Sequence, residues 1–300
     1  MLKVVEAFSG IGAQKQALEK LNIEHEIINT IEWDINAIYA YDIMHHNDNS
    51  PSKLSKHEII ERLANVTLSP DGKKPFSDNG LYRIKEEKLQ KLYAAIRRNN
   101  NLCDITQVSG DMIPDDTDLL TYSFPCQDLS IGSVWYNKDN DGIRKGAKTR
   151  SGLLWEIERI LRERIMINVP LPKFLLMENV NAITSPKHNP NFVQWQEELE
   201  SMGYTNKVYK GLNALDFGVP QSRSRTFMLS IRNKDIEPEE ISNLNYNIQS
   251  NLGDYLRFNH KEEIIEATPN YTPSRIKIYN QNRLLAKNGV VKADFTNTIS

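Results

Sequence analysis

The feature that most constrains this chain is an alternation of short segments at its N-terminus. "LKVVEAF" (2–8) is an apolar run of strand length, and "SGIGAQKQALEKL" then turns on glycines into a segment with Ala13, Ala17, Leu18 and Leu21 at helical spacing. "HEIINTIEWD" predicts a second strand and "INAIYAYDIMHH" a second helix. Strand–helix–strand–helix is the opening of an α/β, doubly wound parallel sheet. Residues 47–101 interrupt it with polar, turn-rich stretches around amphipathic segments such as "EEKLQKLYAAIRR", which predicts a peripheral insertion carrying helices. The pattern resumes with strands at "DLLTYSF" and "PKFLLMENV", helices at "GLLWEIERIL" and "FVQWQEELESMGY", and two more strands within "TNKVYKGLNALDFGVPQSRSRTFMLSIR". Beyond residue 233 the character changes, so the expected division is a catalytic-type domain at 1–239 and a smaller second domain at 240–300.

Composition narrows the class. With 300 residues, 39% hydrophobic and 25% charged, the chain is ordinary globular material. No apolar run approaches the length of a bilayer span, so a membrane protein is not expected. The first strand begins almost at Met1 and leaves no room for a secretory signal, which gives an intracellular, cytoplasmic reading. Two cysteines, Cys103 and Cys126, make no disulfide framework, and nothing has the spacing of a zinc site. His45 and His46 are helix neighbours that do not share a face, so no metal is expected. A formal net charge of −2 neither announces nor excludes a nucleic-acid partner, because a local basic cleft decides phosphate contact.

In such a sheet ligands bind beyond the carboxyl ends of the strands. The first strand end supplies Phe8, Ser9, Gly10, Ile11 and Gly12, where glycines let a ligand approach the backbone and the helix N-terminus offers N–H groups to an anion. A tight strand–helix turn is the plain alternative. The second supplies Glu32, twenty residues after Gly12, suited to the ribose hydroxyls of an adenosine-type cofactor. Trp33 can stack on adenine or fill the core; Asp104 can meet the adenine amino group or cap a helix. These residues leave NAD and S-adenosylmethionine both open. "SFPCQDLS" sets Cys126 at a strand terminus in a polar loop, whereas Cys103, flanked by Leu102 and Asp104, reads as inert. "LLMENV" sets Glu178 at another strand terminus, and "QSRSR" puts Arg223 and Arg225 on one face of an extended segment.

In this order, "EAFSGIG", "IEW", "CDITQV", "SFPCQDLS", "RSGLLWEIERIL", "LLMENV" and "QSRSR" resemble the successive motifs of the bacterial cytosine-C5 DNA methyltransferases. The resemblance runs from residue 4 to about 232 apart from the insertion, and its wording is most like the CpG methyltransferases of wall-less bacteria. It implies a Rossmann-like S-adenosylmethionine-dependent methyltransferase fold with a smaller, incomplete target-recognition domain. The implied activity is transfer of a methyl group to C5 of a flipped cytosine in a specific sequence of double-stranded DNA. Cys126 would add to C6 as nucleophile, Glu178 would neutralise the ring at N3, and Arg225 and Arg223 would hold O2 or orient Glu178. The base that takes the C5 proton is not identified.

By the same resemblance Phe8, Ser9, Gly10, Ile11, Gly12, Glu32, Trp33, Asp104, Ile105, Pro125 and Leu153 contact S-adenosylmethionine. Gln127, Ser130 and the glycine-bearing loop after Cys126, with Arg144, Lys145, Lys148 and Arg150, meet DNA, as do Arg275 and Lys277 in "TPSRIKIYNQNR".

The chain departs from the family where it stops, at "KADFTNTIS", without the motif that returns to close the cofactor pocket. The alternative is therefore a non-catalytic DNA-binding fragment, or one subunit of a split enzyme completed by a second chain. A cognate restriction endonuclease is a further expected partner for such an enzyme. A tRNA cytosine methyltransferase would carry Cys-Phe-Thr where this chain has "NAITSPKHNP", and an NAD-dependent dehydrogenase would have no use for Cys126, Glu178 and the arginine pair.

Overall fold

The computed structural model describes residues 1–46, 49–129, 142–147, 149–232 and 236. These fall within one compact unit, Met1–Asn247. Ser130, Lys148, Arg275, Lys277 and the expected second domain lie outside the described residues.

Six strands form one sheet: β1 (Leu2–Ala7), β2 (His25–Ile31), β3 (Leu119–Tyr122), β4 (Phe174–Val180), β5 (Thr205–Asn213) and β6 (Ser224–Ile231). Their spatial order is β2-β1-β3-β4-β6-β5. The helices are α1 (Ala13–Lys20), α2 (Ile35–His45), α3 (Lys56–Arg62), α4 (Glu86–Arg98), α5 (Leu154–Met166) and α6 (Asn189–Ser201). β1 to β4 pair in parallel, as the alternating pattern requires. Val4, Val5 and Ala7 on β1 are all buried, since helices cover both faces of such a sheet.

The sheet departs from the all-parallel expectation at one strand. β6 runs antiparallel to both β4 and β5. The link between β5 and β6, residues 214–223, holds only a 3-10 turn, and a parallel neighbour would need a long crossover. This reversal matters for chemistry. It brings the first residues of β6 alongside the last residues of β4, with Arg225 paired to Val180.

The insertion is less peripheral than its composition suggests. Ile59, Ile60 and Leu63 around α3 and Leu89, Leu92, Ala95 and Ile96 of α4 bury themselves against Ile35 and Ile38 of α2 as a second core. α2 is fastened to α4 by Arg98, whose Nε and Nη2 donate to the two oxygens of buried Asp42 at 2.9 and 3.1 Å. The main core lies between the sheet and α5 and α6. There Trp195 packs edge-on against both Trp155 and Tyr122.

Candidate active site

β2 lies on one side of β1 and β3 on the other, so the strand order reverses there and the crevice opens where β1 and β3 end side by side at Ala7 and Tyr122. The turn 8–12 follows one and the turn 123–126 the other, and Gln14 Nε2 donates to Ser123 Oγ across them at 2.8 Å. Phe8, Gly10 and Gly12 all have positive φ. Gly12 is demanded by packing: a Cβ there would lie 2.2 Å from His45 Nε2. Gly10 has open space beside it, and its N–H donates to Glu32 Oε2 at 3.0 Å.

The N-terminus of α1 already has an anion of its own. Fully buried Glu6 accepts from the Lys15 backbone N–H at 2.9 Å and from the Tyr41 hydroxyl at 2.6 Å. Burial still raises the Glu6 carboxyl above its ordinary range.

A cavity of about 540 Å³ opens at these strand ends. Phe8, Glu32, Trp33, Asp104, Ile105, Pro125, Cys126, Gln127, Arg150 and Leu153 all line it. Glu32 is held by two backbone donors, Gly10 on Oε2 and Asp34 on Oε1 at 2.8 Å, and burial raises its carboxyl despite them. Each oxygen of a carboxylate accepts more than one bond, so Glu32 keeps acceptor capacity toward the cavity. Asp104 performs the capping alternative as well: its Oδ1 accepts from the Thr106 N–H and hydroxyl at 3.0 and 2.9 Å. Ser9, Gly10, Ile11 and Gly12 are not among the lining residues: Ser9 is buried, and Ile11 is half exposed while its carbonyl accepts from His45 Nε2.

The two cysteines differ as their flanking residues suggest. Cys103 is buried, and burial together with the Glu32 and Asp104 charges pushes its thiol up to about 12, so it stays a protonated, unreactive group. Cys126 is partly exposed. Its turn is clamped to Ser151, in the 3-10 turn that leads into α5: Ser151 Oγ donates to the Pro125 carbonyl at 2.7 Å and accepts from the Asp128 N–H at 3.3 Å, while the Ser151 N–H donates to Asp128 Oδ2 at 3.1 Å. From the neighbouring strand, Asn179 Nδ2 donates to the Phe124 carbonyl at 3.0 Å.

On that strand Glu178 receives Arg225 Nε at 2.9 Å, with Arg223 Nη2 at 3.9 Å. The period-two spacing therefore does put both guanidiniums toward one carboxylate.

Residues 81–298 match the family model for C-5 cytosine-specific DNA methylase. The chain belongs to this family. It is 43% identical over 243 residues to the orphan methyltransferase M.SssI of Spiroplasma monobiae, covering 79% of this chain and 61% of that protein. It is 38% identical over 237 residues to the type II methyltransferase M2.ScrFI of Lactococcus lactis subsp. cremoris, covering 78% and 62%. The chain thus spans about three fifths of the length of these relatives. Its fold is similar to that of the S. pombe Dnmt2 methyltransferase, with a TM-score of 0.51 at 20% identity over 88% of this chain and 63% of that one.

In this member of the family, the basic residues after the cysteine divide. Lys145 is engaged within the protein: its Nζ lies 2.8 Å from both Glu158 and Glu198 and 4.9 Å from the Trp155 ring centre. Burial works against its charge, but the two carboxylates outweigh it and raise its pKa. Lys145 thus anchors its segment to α5 and α6. Arg144 is exposed. Arg150 donates to Gln127 Oε1 and to the Gly72 carbonyl.

Sequence reading missed Ser151, Asp128 and Asn179, which carry no chemistry of their own and matter only through the bonds they make. It also missed Asp71, Gly72 and Lys73, insertion residues that reach the cavity wall. A signal for those three did exist in the turn sequence "SPDGKK", but nothing in it indicates which cavity the turn faces.

Proposed function

We propose that the protein transfers a methyl group from S-adenosylmethionine to C5 of cytosine in double-stranded DNA. The observation that carries this reading is the position of Cys126: a partly exposed thiol in the wall of the cavity that Glu32, Trp33 and Asp104 also line. A nucleotide-binding protein without covalent chemistry has no need of a thiol there.

The cavity fits an adenosine bearing a sulfonium. Glu32 offers acceptors to the ribose hydroxyls, Asp104 to the adenine amino group, and Phe8, Trp33, Ile105 and Leu153 give the ring apolar neighbours. Glu32, Asp34, Asp71 and Asp104 outnumber Lys73 and Arg150 in the lining, and this excess of carboxylates suits a positively charged sulfonium better than the pyrophosphate of NAD. When bound, S-adenosylmethionine supplies an electrophilic methyl group.

The chain's own residues do the rest. Cytosine C5 is a weak nucleophile until the ring's conjugation is broken, and the Cys126 thiolate breaks it by adding to C6; after C5 has taken the methyl group, loss of the C5 proton to a base restores the ring and expels the thiolate. Glu178 hydrogen-bonds N3 and offsets the charge that grows on the ring, and Arg225 fixes the orientation of that carboxyl through its 2.9 Å ion pair. Attack on one face and methylation on the other require the base to leave the duplex, at a cost of a few kcal/mol. The exposed Arg144 supplies positive charge for a DNA phosphate.

Expression in a bacterial host without cytosine methylation, followed by genome-wide mapping of 5-methylcytosine, tests the reaction and reads out the target sequence. Incubation with 5-fluorocytosine DNA and S-adenosylmethionine tests the nucleophile: the wild-type chain forms a covalent complex and Cys126→Ser forms none. Equal trapping by the serine variant would remove Cys126 from the mechanism.

A further inference from the structure

The turn 69–74 is built onto the exit of β2. The buried Ser69 donates its N–H to the Trp33 carbonyl at 2.8 Å and accepts from the Ile35 N–H at 3.0 Å through its own carbonyl. Asn36 Nδ2 donates to the Pro70 carbonyl at 2.9 Å. Asp71 Oδ1 closes the turn by accepting from the Lys73 and Lys74 N–H groups at 2.9 and 3.2 Å. Gly72 has φ +66, and a Cβ there would stand 3.0 Å from Asp34 Oδ2. The turn is thus rigidly placed beside Glu32 and Trp33, and its residues Asp71, Gly72 and Lys73 line the same cavity as Cys126.

Arg150 joins this turn to the nucleophile. Its Nη2 donates to the Gly72 carbonyl at 2.6 Å and its Nη1 to Gln127 Oε1, in the residue after Cys126. One planar guanidinium spans two acceptors on segments far apart in the chain, a geometry that a lysine ammonium does not reproduce.

We propose that the turn 69–74 is a wall of the cofactor cavity, and that Arg150 is a positioning residue holding this wall to the nucleophile turn. The proposal rests on the reading of the cavity as an S-adenosylmethionine site. A ligand filling the cavity touches both segments, so a bond that holds them in register strengthens ligand binding even without DNA. If Arg150 serves only a DNA phosphate, it has no effect on the cofactor in the absence of DNA.

Calorimetric titration of the 300-residue chain with S-adenosylhomocysteine, with no DNA present, separates these cases. Arg150→Ala and Arg150→Lys each weaken binding about fivefold, the equivalent of one net hydrogen bond. Gln127→Leu weakens it similarly in the wild-type background and adds nothing in the Arg150→Ala background, because the two residues share one bridge. Variants that unfold at the wild-type temperature yet bind as tightly would overturn the proposal, as would independent, multiplicative effects of Gln127→Leu and Arg150→Ala. Gly72→Ala leaves both bridging side chains in place and tests the wall alone. If the Arg150 variants do not fold, undiminished binding by Gly72→Ala overturns the proposal. No binding by the wild-type chain would overturn the cofactor reading itself, and this inference with it.

Discussion

Glu6 is the residue whose environment has the clearest energetic consequence. Its ordinary pKa of 4.5 is raised in the folded protein by burial, only partly offset by the Tyr41 hydroxyl and the Lys15 N–H. The folded state therefore keeps a proton that the unfolded chain gives up at lower pH. Between the unfolded and folded values this group's contribution to stability falls as pH rises, and it is greatest below the unfolded value. Glu6→Gln cannot ionise, yet its amide still presents an oxygen to Lys15 and an N–H to Tyr41. The difference in melting temperature between Glu6→Gln and wild type shifts in favour of the variant as pH rises above the ordinary carboxylate value; a difference that stays constant from that value upward would count against a raised carboxyl. Glu6→Ala strands both donors and costs about 2–4 kcal/mol at any pH. The nearby glycines separate in the same way. Gly12→Ala meets both a left-handed φ of +80 and the His45 and Tyr41 rings, and loses about 3 kcal/mol or more in urea unfolding. Gly10→Ala, with φ +53 and open space, loses about 1 kcal/mol from the backbone alone.

At the scale of elements, the Cys126 turn is held from the start of α5. Ser151, which opens the 3-10 turn leading into that helix, is fully buried, and its three bonds fix Pro125 and Asp128 on either side of the thiol. A strand end alone would leave this turn free to tilt. Ser151→Ala removes the hydroxyl while its backbone N–H can still reach Asp128, so the fold loses only about 1–2 kcal/mol. The proposed methyl transfer suffers more, because a small displacement of a nucleophile weakens attack far more than it weakens binding. Single-turnover rates for Ser151→Ala fall at least tenfold with S-adenosylhomocysteine affinity within about threefold of wild type. A rate loss matched by an equal affinity loss would instead show that the clamp shapes the cavity rather than the thiol.

For the molecule as a whole, the residues legible in the sequence are those whose role is carried by local pattern. Glu32, Cys126 and Glu178 sit at strand ends marked by apolar runs, and Arg223 and Arg225 share a face through a spacing of two. What stayed hidden depends on long-range pairing: the reversal of β6, the engagement of Lys145 by Glu158 and Glu198, and the reach of the insertion to the cavity at Gly72. No local period encodes any of these. The insertion's core also raises a question of cooperativity. Leu89 and Leu92 pack with Ile35 and Ile38 on α2, while Tyr41 of that helix bonds Glu6 on the central strand β1. α2 therefore ties the second core to the central strand, and loss of the second core disturbs that tie. Leu92→Ala leaves a cavity in the second core and costs about 2–5 kcal/mol. That loss appears as one lowered transition, in which far-ultraviolet circular dichroism and the fluorescence to which Trp155 and Trp195 of the first core contribute move together. Two separated transitions, with the tryptophan signal unchanged in midpoint, would mean that the insertion unfolds as a module of its own and that α2 does not transmit its stability to the sheet.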